Sequence, residues 1–401
     1  MTLFWQKHFD ALVERLRSSD LPLRLDLWNG TQIELSTAAP RVILGLASPL
    51  ALRHLQSPSL GRLGQAYVEG ELDVQGRITD IVEIAVRLAD GLRDGALPWR
   101  QAQRLFRHTR RSDAEAIAYH YDVSNAFYEK WLDPRMVYSC AYFKQPSDSL
   151  EQAQLQKIDH ILTKLRVQPG DRLLDIGCGW GALVIRAAEK FGARALGITL
   201  SAQQHDLACQ RIAAAGLGDR CEVRLQDYRD VRGRFDRIAS VGMFEHVGLK
   251  NLRAYFSCIE ALLDEGGTVL NHGITSTDVE SADAPLGGGE FIERYVFPQG
   301  ELPHVSLALK EMCAAGLEPV DVENLRHHYA MTLDHWAARF EEAGDSLKAI
   351  AGEKRWRIWR MYLAGCAYGF RHHWINLYQV LALKAGAGQG VQPLTRDYMY
   401  R

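Results

Sequence analysis

The sequence predicts an α/β protein: a Rossmann-like sheet with helical additions, preceded by a small N-terminal α+β domain. Three observations carry this. Between about Ala118 and Gly273, helical and strand-like segments alternate, the pattern of a parallel sheet with helices on both faces. The first strand of that series runs into a glycine loop, "LLDIGCGWGAL". Residues 1 to about 90 instead read as a small mixed unit with a hairpin signal.

In that first unit, "LRLDLWNGTQIEL" alternates Leu23, Leu25 and Leu27, then Asn29-Gly30, then Ile33 and Leu35. Asn-Gly between alternating runs predicts a two-residue turn in which both residues have φ > 0. "GQAYVEGELDVQG" has the glycine punctuation of short strands and turns, and "ITDIVEIAVRLA" has helical periodicity. From Gly91 the composition changes: Arg100, Arg104, Arg107, Arg110 and Arg111 occur without one acid, among Trp99, Leu105 and Phe106. This stretch reads either as a solvated linker helix or as a basic surface for anionic lipid headgroups, each arginine contributing about 1 kcal/mol. The expected organisation is 1–92 for the N-terminal domain, 93–117 for the basic linker and 118–401 for the catalytic domain.

Within the third segment, "AQLQKIDHILTKL" is helical and "DRLLDIG" a short buried strand. "ALVIRAAEKFG" (helix), "ARALGITL" (strand), "SAQQHDLACQRIAAAG" (helix) and "CEVRLQ" (strand) follow. "FDRIASV" (strand), "LRAYFSCIEALL" (helix) and "GTVLNHG" (strand) complete the series. Past Tyr329 the chain reads as largely helical.

Composition bounds the function. Of 401 residues, 47 are Lys or Arg and 49 Asp or Glu, a balance that gives no support to a nucleic-acid partner. The seven cysteines form no CxxC pair and no zinc-spaced cluster, so no metal site is expected and the thiols read as reduced in a cytosolic compartment. The N-terminus carries charge throughout, unlike a signal peptide, and no stretch approaches the roughly 20 apolar residues of a spanning helix.

The glycine loop satisfies G-x-G-x-x-A with Gly177, Gly179 and Ala182, a pattern shared with dinucleotide sites. A dinucleotide site also wants an acid at the end of the second strand for the ribose hydroxyls. Here that strand ends "GITLS", with Thr199 and Ser201 and no acid. Instead Asp175 precedes the first glycine and "QDY" follows the third strand. That is the pattern of class I S-adenosylmethionine (SAM)-dependent methyltransferases, in which the acid after strand three can accept from the adenine amine.

Ligands of such sheets bind beyond the carboxyl ends of the strands. Glu245, in "GMFEHVG", follows the fourth strand and His272 ends the fifth. Either alone has a structural explanation, a helix cap or a core histidine. Together, at neighbouring strand ends beside a cofactor loop, they point to chemistry. His246 reads as scaffold, and "HYDVSNAFYEKWLDPRMVYSCAYF" as a packed helical lid or a cover over cofactor and substrate.

These residues carry a family resemblance. The stretches "HYDVSNAFYEKWLDPRMVYSCAYF", "LLDIGCGWGAL", "GITLSAQQ", "QDYRD", "FDRIASVGMFEHVG", "NHGI", "RYVFPQGELP", "YAMTLDHWAARF" and "GCAYGFRHHWINLYQVL" cover roughly 118 to 385. They are similar to the cyclopropane-fatty-acyl-phospholipid synthases, of the same superfamily as the mycolic acid cyclopropane synthases. "PSLGRLGQAYVEGELDVQG" resembles that family's N-terminal lipid-associated domain more loosely.

The resemblance implies transfer of a methylene from SAM to a cis double bond of a phospholipid acyl chain, through a carbocation deprotonated by bound bicarbonate. By position it assigns the bicarbonate to Glu245, His272 and Tyr329, with main-chain help around Cys140 and Val241. It assigns SAM to Tyr138, Ser139, Leu173, Leu174, Asp175, Ile176, Gly177, Cys178, Gly179, Trp180 and Gly181. Thr199, Leu200, Ser201, Ala202, Gln203, Gln204, Asp227 and Tyr228 complete that set. Cys366, in "AGCAYG", matches a cysteine flagged in the family as an active-site candidate, although the mechanism needs no covalent intermediate. Tyr138, Phe143 and Phe244 are candidates for cation–π stabilisation of roughly 0.5–2 kcal/mol. Dimerisation through the N-terminal domain is a further expectation of the resemblance.

Drawing an acyl chain through water costs about 0.8 kcal/mol per methylene. A cytoplasmic enzyme docking peripherally on the inner face of the bilayer is therefore expected, with Arg100–Arg111 as its contact. Three rivals remain from sequence: a SAM-dependent lipid C-methyltransferase giving a branched chain or an alcohol, a silent lipid-binding protein, and a nicotinamide oxidoreductase. The intact Glu245, His272 and Tyr329 disfavour the second, and the missing acid after "GITL" the third.

Overall fold

The computed structural model describes residues 3–91, 124–279, 285–298, 300–388 and 391–400. The basic stretch Arg100–Arg111 lies outside them. The chain forms two compact units, one drawn from Met1–Arg104, Asp283–Pro298 and Gly344–Tyr368, the other from Leu105–Ala282, Gln299–Ala343 and Gly369–Arg401. The units thus interleave along the chain, where the sequence suggested contiguous segments.

The first unit holds a four-stranded sheet in the order β2-β1-β3-β4, made of β1 (Leu23–Asp26), β2 (Gln32–Glu34), β3 (Val42–Leu46) and β4 (Leu72–Gly76). The hairpin signal holds, since β1 and β2 pair antiparallel, but the turn is longer than two residues. Only Gly30 takes a positive φ, 83°; Leu27 bonds to Thr31, and the Asn29 side chain accepts from the Thr31 amide. This is a three-residue loop closed by a left-handed glycine.

"GQAYVEG" departs from its strand reading: Leu60–Val68 is a helix, capped by the Ser59 side chain. Its glycines serve packing. A Cβ on Gly64 would lie 2.6 Å from the Phe291 ring, and one on Gly61 2.7 Å from the Glu290 carboxylate. Glycine there lets the Gly288–Tyr295 helix approach, which a turn-based reading of glycine misses.

The second unit is built on a seven-stranded sheet in the order β10-β11-β9-β8-β5-β6-β7. The strands are β5 (Arg172–Ile176), β6 (Arg194–Thr199), β7 (Cys221–Leu225) and β8 (Phe235–Val241), then β9 (Leu263–Ser276), β10 (Leu317–Asn324) and β11 (Ile375–Lys384). β5 to β9 run parallel, whereas β11 is antiparallel to both β9 and β10. This is the class I SAM-dependent methyltransferase sheet. The predicted alternation holds element by element through β9.

β11 corrects the helical reading of the C-terminal stretch. It is buried along almost its whole length, so "INLYQVLALK" shows no period-2 alternation and cannot be told from a buried helix by pattern. The segment before the first sheet helix also departs from the helical lid reading: among its described residues only Asn125–Tyr128 is helical, and the chain from there to Asp148 is irregular, packed through aromatic rings.

Local chemistry fixes the elements around the crevice. The Leu150–Lys164 helix opens with a capping box, Ser149 and Gln152 satisfying each other's orphan amides. Ser201 caps the Ala202–Ala214 helix by accepting from the Gln204 amide. Leu173, Leu174 and Ile238 are fully buried in the sheet, which anchors the ends of β5 and β8. The strand order reverses between these two, and this switch point opens a crevice at their carboxyl ends.

Candidate active site

A cleft with about 1000 Å³ of empty space, part of it open to solvent, lies at this switch point. Its floor is the glycine loop. Gly177, Gly179 and Gly181 have φ of 80°, 54° and 83°, conformations that L side chains rarely adopt. The Gly177 and Cys178 amides bond to the Ile198 carbonyl, tying the loop to β6. A Cβ on Gly179 would meet nothing within 4 Å, so the loop presents bare backbone to open space. Gly181 instead is needed for packing, a Cβ there lying 3.1 Å from Ala208 Cβ.

Of the residues assigned to SAM, Tyr138, Ser139, Asp175, Ile176, Gly177, Cys178, Gly179, Trp180, Thr199, Leu200, Gln204 and Tyr228 line this cleft. Leu173 and Leu174 lie in the sheet core beneath it. Ala202 and Gln203 start the helix that Ser201 caps, and Gly181 precedes the Ala182–Phe191 helix. Asp227 is gripped by Arg229 through a fork of 2.7 and 2.8 Å, so its carboxylate is oriented before any ligand arrives. Thr199 Oγ1 donates to Gln204 Oε1 at 2.7 Å, fixing the Gln204 amide at the cleft wall.

The donor set fits a sulfonium nucleoside with an amino-acid end. Asp175 is buried, its Oδ1 has no partner, and burial pushes its carboxyl up to about 7. A lone acid of this kind at the edge of a cleft is poised for a cationic group. Sequence reasoning missed Met136, Lys157, Gln226 and Met243 in the lining, and it read His246 as scaffold where the structure places it on the cleft wall. Spacing offered no signal for them, because their approach depends on how the irregular segment and the strand ends fold.

The two catalytic candidates come from neighbouring segments: Glu245 follows β8, while His272 lies inside β9, which continues to Ser276, and not at the strand end that the sequence suggested. Val241 pairs in register with His272, and the Gly242 amide donates to the His272 carbonyl. Glu245 sits in the short helical turn Phe244–His246, its Oε1 accepting from the Ile274 amide at 2.7 Å. Its Oε2 is buried without a partner, and burial outweighs the Ile274 bond to raise the carboxyl to about 7. His272 is 1 % exposed, and burial, reinforced by the charges of Lys157 and Lys164, holds it far below its ordinary value, so the ring is neutral. Gln379, its register partner on β11, bonds to Nδ1 at 3.2 Å, while Nε2 has no partner. Glu245 and His272 thus offer one unengaged polar atom each. Buried polar atoms are nearly always paired, so this pair is a candidate ligand site.

Tyr329 lies in the first turn of the Arg326–Glu342 helix, buried against Phe370 (4.6 Å between ring centroids) and Trp336 (6.1 Å). Cys140 is fully buried, its Sγ directed at the carbonyls of Ala141 and Leu325, and burial raises its thiol far above the ordinary range. The Leu325 contact brings Cys140 to the start of the Tyr329 helix. No hydrogen bond joins Glu245 or His272 to Cys140. Cys366 belongs to the other compact unit, in the Glu353–Arg371 helix, and burial raises its thiol to about 12, a neutral and unreactive state at physiological pH. Phe143 stacks on His335 (5.6 Å) and His328 (6.5 Å), and it is not among the residues lining the cleft.

Comparison with known proteins supplies the remaining constraint. Residues 108–380 match the family described as "Mycolic acid cyclopropane synthetase", and residues 10–94 match a domain of unknown function. The chain is 49 % identical over 392 residues to a probable fatty acid methyltransferase of Pseudomonas putida, covering 96 % of this chain and 98 % of that one. It is 40 % identical over 266 residues to the cyclopropane-fatty-acyl-phospholipid synthase of Escherichia coli K12, covering 65 % of this chain and 66 % of that one. Among solved structures, the mycolic acid cyclopropane synthase CmaA1 complexed with SAH and CTAB superposes with a TM-score of 0.65 at 35 % identity, covering 68 % of this chain and 98 % of that one.

Proposed function

The chain belongs to the mycolic acid cyclopropane synthetase family of SAM-dependent lipid-modifying enzymes, and from that premise we propose that it converts the cis double bond of an unsaturated phospholipid acyl chain into a cyclopropane ring. The observation that carries this reading is the pair of unengaged buried atoms, Glu245 Oε2 in the turn after β8 and His272 Nε2 on the neighbouring strand β9, beside the cofactor cleft.

When bound, SAM supplies an electrophilic methyl group on sulfur to the electron pair of the alkene. The lipid then carries a positive charge that a proton loss from the new methyl group must discharge, with the C–H electrons closing the ring. Glu245, His272 and Tyr329 would hold a bicarbonate ion, which supplies a base of suitable strength and size there. The neutral His272 ring, with Gln379 as donor to Nδ1, carries its hydrogen on Nε2 and offers it to an anion. Glu245, raised to about 7, has a carboxylate form that accepts a proton at Oε2 and an acid form that tolerates an anion nearby. Burial of both groups keeps water from capturing the cation as an alcohol.

A branched product is the second reading, favoured by the 49 % identity to a probable fatty acid methyltransferase. Phospholipid as substrate and docking on a bilayer rest on the cost of moving acyl chains through water. Among the described residues no helix is long and apolar enough to cross a membrane, which suits a protein that meets lipid from outside the bilayer.

The test is SAH release from SAM in the presence of phosphatidylglycerol vesicles. Dioleoyl vesicles should support turnover that added bicarbonate raises, and fully saturated vesicles should support none. Equal turnover with both would sink the alkene as substrate.

A further inference from the structure

The irregular stretch Tyr138–Phe143 runs from the cofactor cleft to the helix that carries Tyr329. Tyr138 and Ser139 line the cleft, and the family resemblance assigns the Cys140 main chain to the anion. The next three amides tie the stretch down on two sides. The Tyr142 amide donates to the Ala153 carbonyl of the Leu150–Lys164 helix. Its neighbours turn the other way, to two side chains one turn apart on the Arg326–Glu342 helix. The Ala141 amide donates to Thr332 Oγ1 and the Phe143 amide to His328 Nδ1, each at 3.0 Å. A threonine hydroxyl keeps this role at any physiological pH, whereas an imidazole does not.

A backbone amide has only a hydrogen to give, so His328 Nδ1 must offer its lone pair and the ring must be neutral. A proton added at Nδ1 would set donor against donor. The ring is also packed flat, with Tyr142 stacked on it at 4.7 Å and 10° and Phe143 at 6.5 Å and 17°. Partial burial lowers His328 below its ordinary value; Glu323 on β10 opposes this, and His160 and His327 add to it. Glu323 is itself paired with His160 at 2.8 Å and Lys164 at 2.6 Å, while His327 bonds to Arg326 at 2.9 Å. The Tyr142 hydroxyl, pushed up to about 12 by burial, stays neutral. Against Phe143, His335 stacks at 5.6 Å and is also lowered by burial.

We propose that His328 is the positioning residue of this stretch: its neutral ring fixes Phe143, and through it the cofactor- and anion-facing backbone, and its protonation releases them. The consequence for binding rests on the reading of the cleft as the SAM site; the grip itself does not. A released ring returns to its ordinary value near 6.5. The grip is therefore complete above about that pH and is lost as pH falls through the lowered value of the held ring.

Hydrogen exchange of the full chain at about pH 8 and about pH 5, normalised to intrinsic rates, tests this in peptides spanning Tyr138–Lys144. In the unmodified protein, exchange there should rise about tenfold in acid. It should rise no more than about 30-fold, the limit set by roughly 1.5 pH units below the ordinary value. His328→Asn places an amide oxygen two bonds from Cβ, as Nδ1 is, and does not titrate, so its exchange should change less than about twofold. His328→Leu should exchange fast at both pH values. SAH affinity at about pH 8, by calorimetry, should fall about tenfold in His328→Leu and return to within about threefold in His328→Asn. No acid loosening in the unmodified protein would overturn the proposal, and needs no variant to fold. So would loosening that persists in His328→Asn, which would assign it to His335 or His160. A loosened stretch in His328→Leu with SAH affinity unchanged would overturn the positioning role as well. Absence of SAH binding to the unmodified protein would instead overturn the cofactor reading, while the exchange result would still decide the grip.

Discussion

Glu245 accepts the Ile274 amide hydrogen at 2.7 Å, two residues beyond His272 on the same strand. That bond fixes one carboxylate oxygen against β9 and leaves the other without a partner, beside the strand on which His272 keeps an unpartnered Nε2. A flexible glutamate would lose this arrangement to solvent. Here the short turn Phe244–His246 and the strand amide hold it, so the proposed catalytic atom is set by the scaffold.

Replacing Glu245 with Gln keeps the Ile274 bond through the amide oxygen and removes the proton acceptor. Activity should fall by about two orders of magnitude or more, with SAH affinity within about threefold of the unmodified protein. The check is steady-state turnover beside calorimetric SAH binding. Lost SAH affinity with turnover retained would place Glu245 in the wrong role.

The same carboxylate predicts a pH dependence. Burial raises Glu245 to about 7, and the proposed role as proton acceptor requires its carboxylate form. The protonated form gives way to the carboxylate as pH rises through that value, so kcat/KM should climb about tenfold between roughly pH 6 and pH 8 at constant bicarbonate. The residual activity of Glu245→Gln should lack this limb. A limb of equal size in the variant would assign it to another group.

Gly273 lies between His272 and Ile274, against the Phe244 ring. A Cβ there would lie 1.9 Å from Phe244 Cε1 and 2.3 Å from Cδ1. Gly273→Ala should therefore displace the turn that carries Glu245, lowering stability by about 1–3 kcal/mol and activity with it. Adding Phe244→Leu should recover part of both. Urea unfolding and turnover of the single and double variants measure this, and an unperturbed Gly273→Ala would show that the turn yields freely.

Away from the cleft, Lys164 is fully buried and paired with Glu323 at 2.6 Å and Asp321 at 3.2 Å. Burial alone would raise Glu323, but His160 and Lys164 outweigh it and hold the carboxyl at about 2. A folded value below the unfolded one means that the stabilisation is complete above about 4.5 and is lost as pH falls toward 2. Glu323→Gln should cost roughly 3 kcal/mol at pH 7, and the gap from the unmodified protein should narrow below pH 4.5. Urea titrations at pH 7 and pH 4 compare them, and a gap that widens on acidification would refute the linkage.

The legible part of this molecule was the part written in local pattern. Asp175 and the three glycines stand in one apolar-strand-to-helix stretch, so the cleft floor could be read directly. Glu245 and His272 are far apart in sequence, but Glu245 follows β8 and His272 lies on β9 level with the end of β8, and chain order placed those strands side by side. Lys157 was not legible, because a buried lysine and an exposed one on the same helix look alike until the facing segment is known. β11 was hidden by burial on both faces. The position of His246 on the cleft wall was not legible either, because it depends on how the turn after β8 folds.

The central claim is ring closure, and proton NMR of the fatty acids released after turnover on dioleoyl vesicles tests it most directly. Ring closure gives a pair of cyclopropane methylene signals, one upfield of tetramethylsilane, in a product heavier than its substrate by one methylene group. Vinylic methylene protons or a methyl doublet in their place would contradict it and assign the enzyme to chain branching.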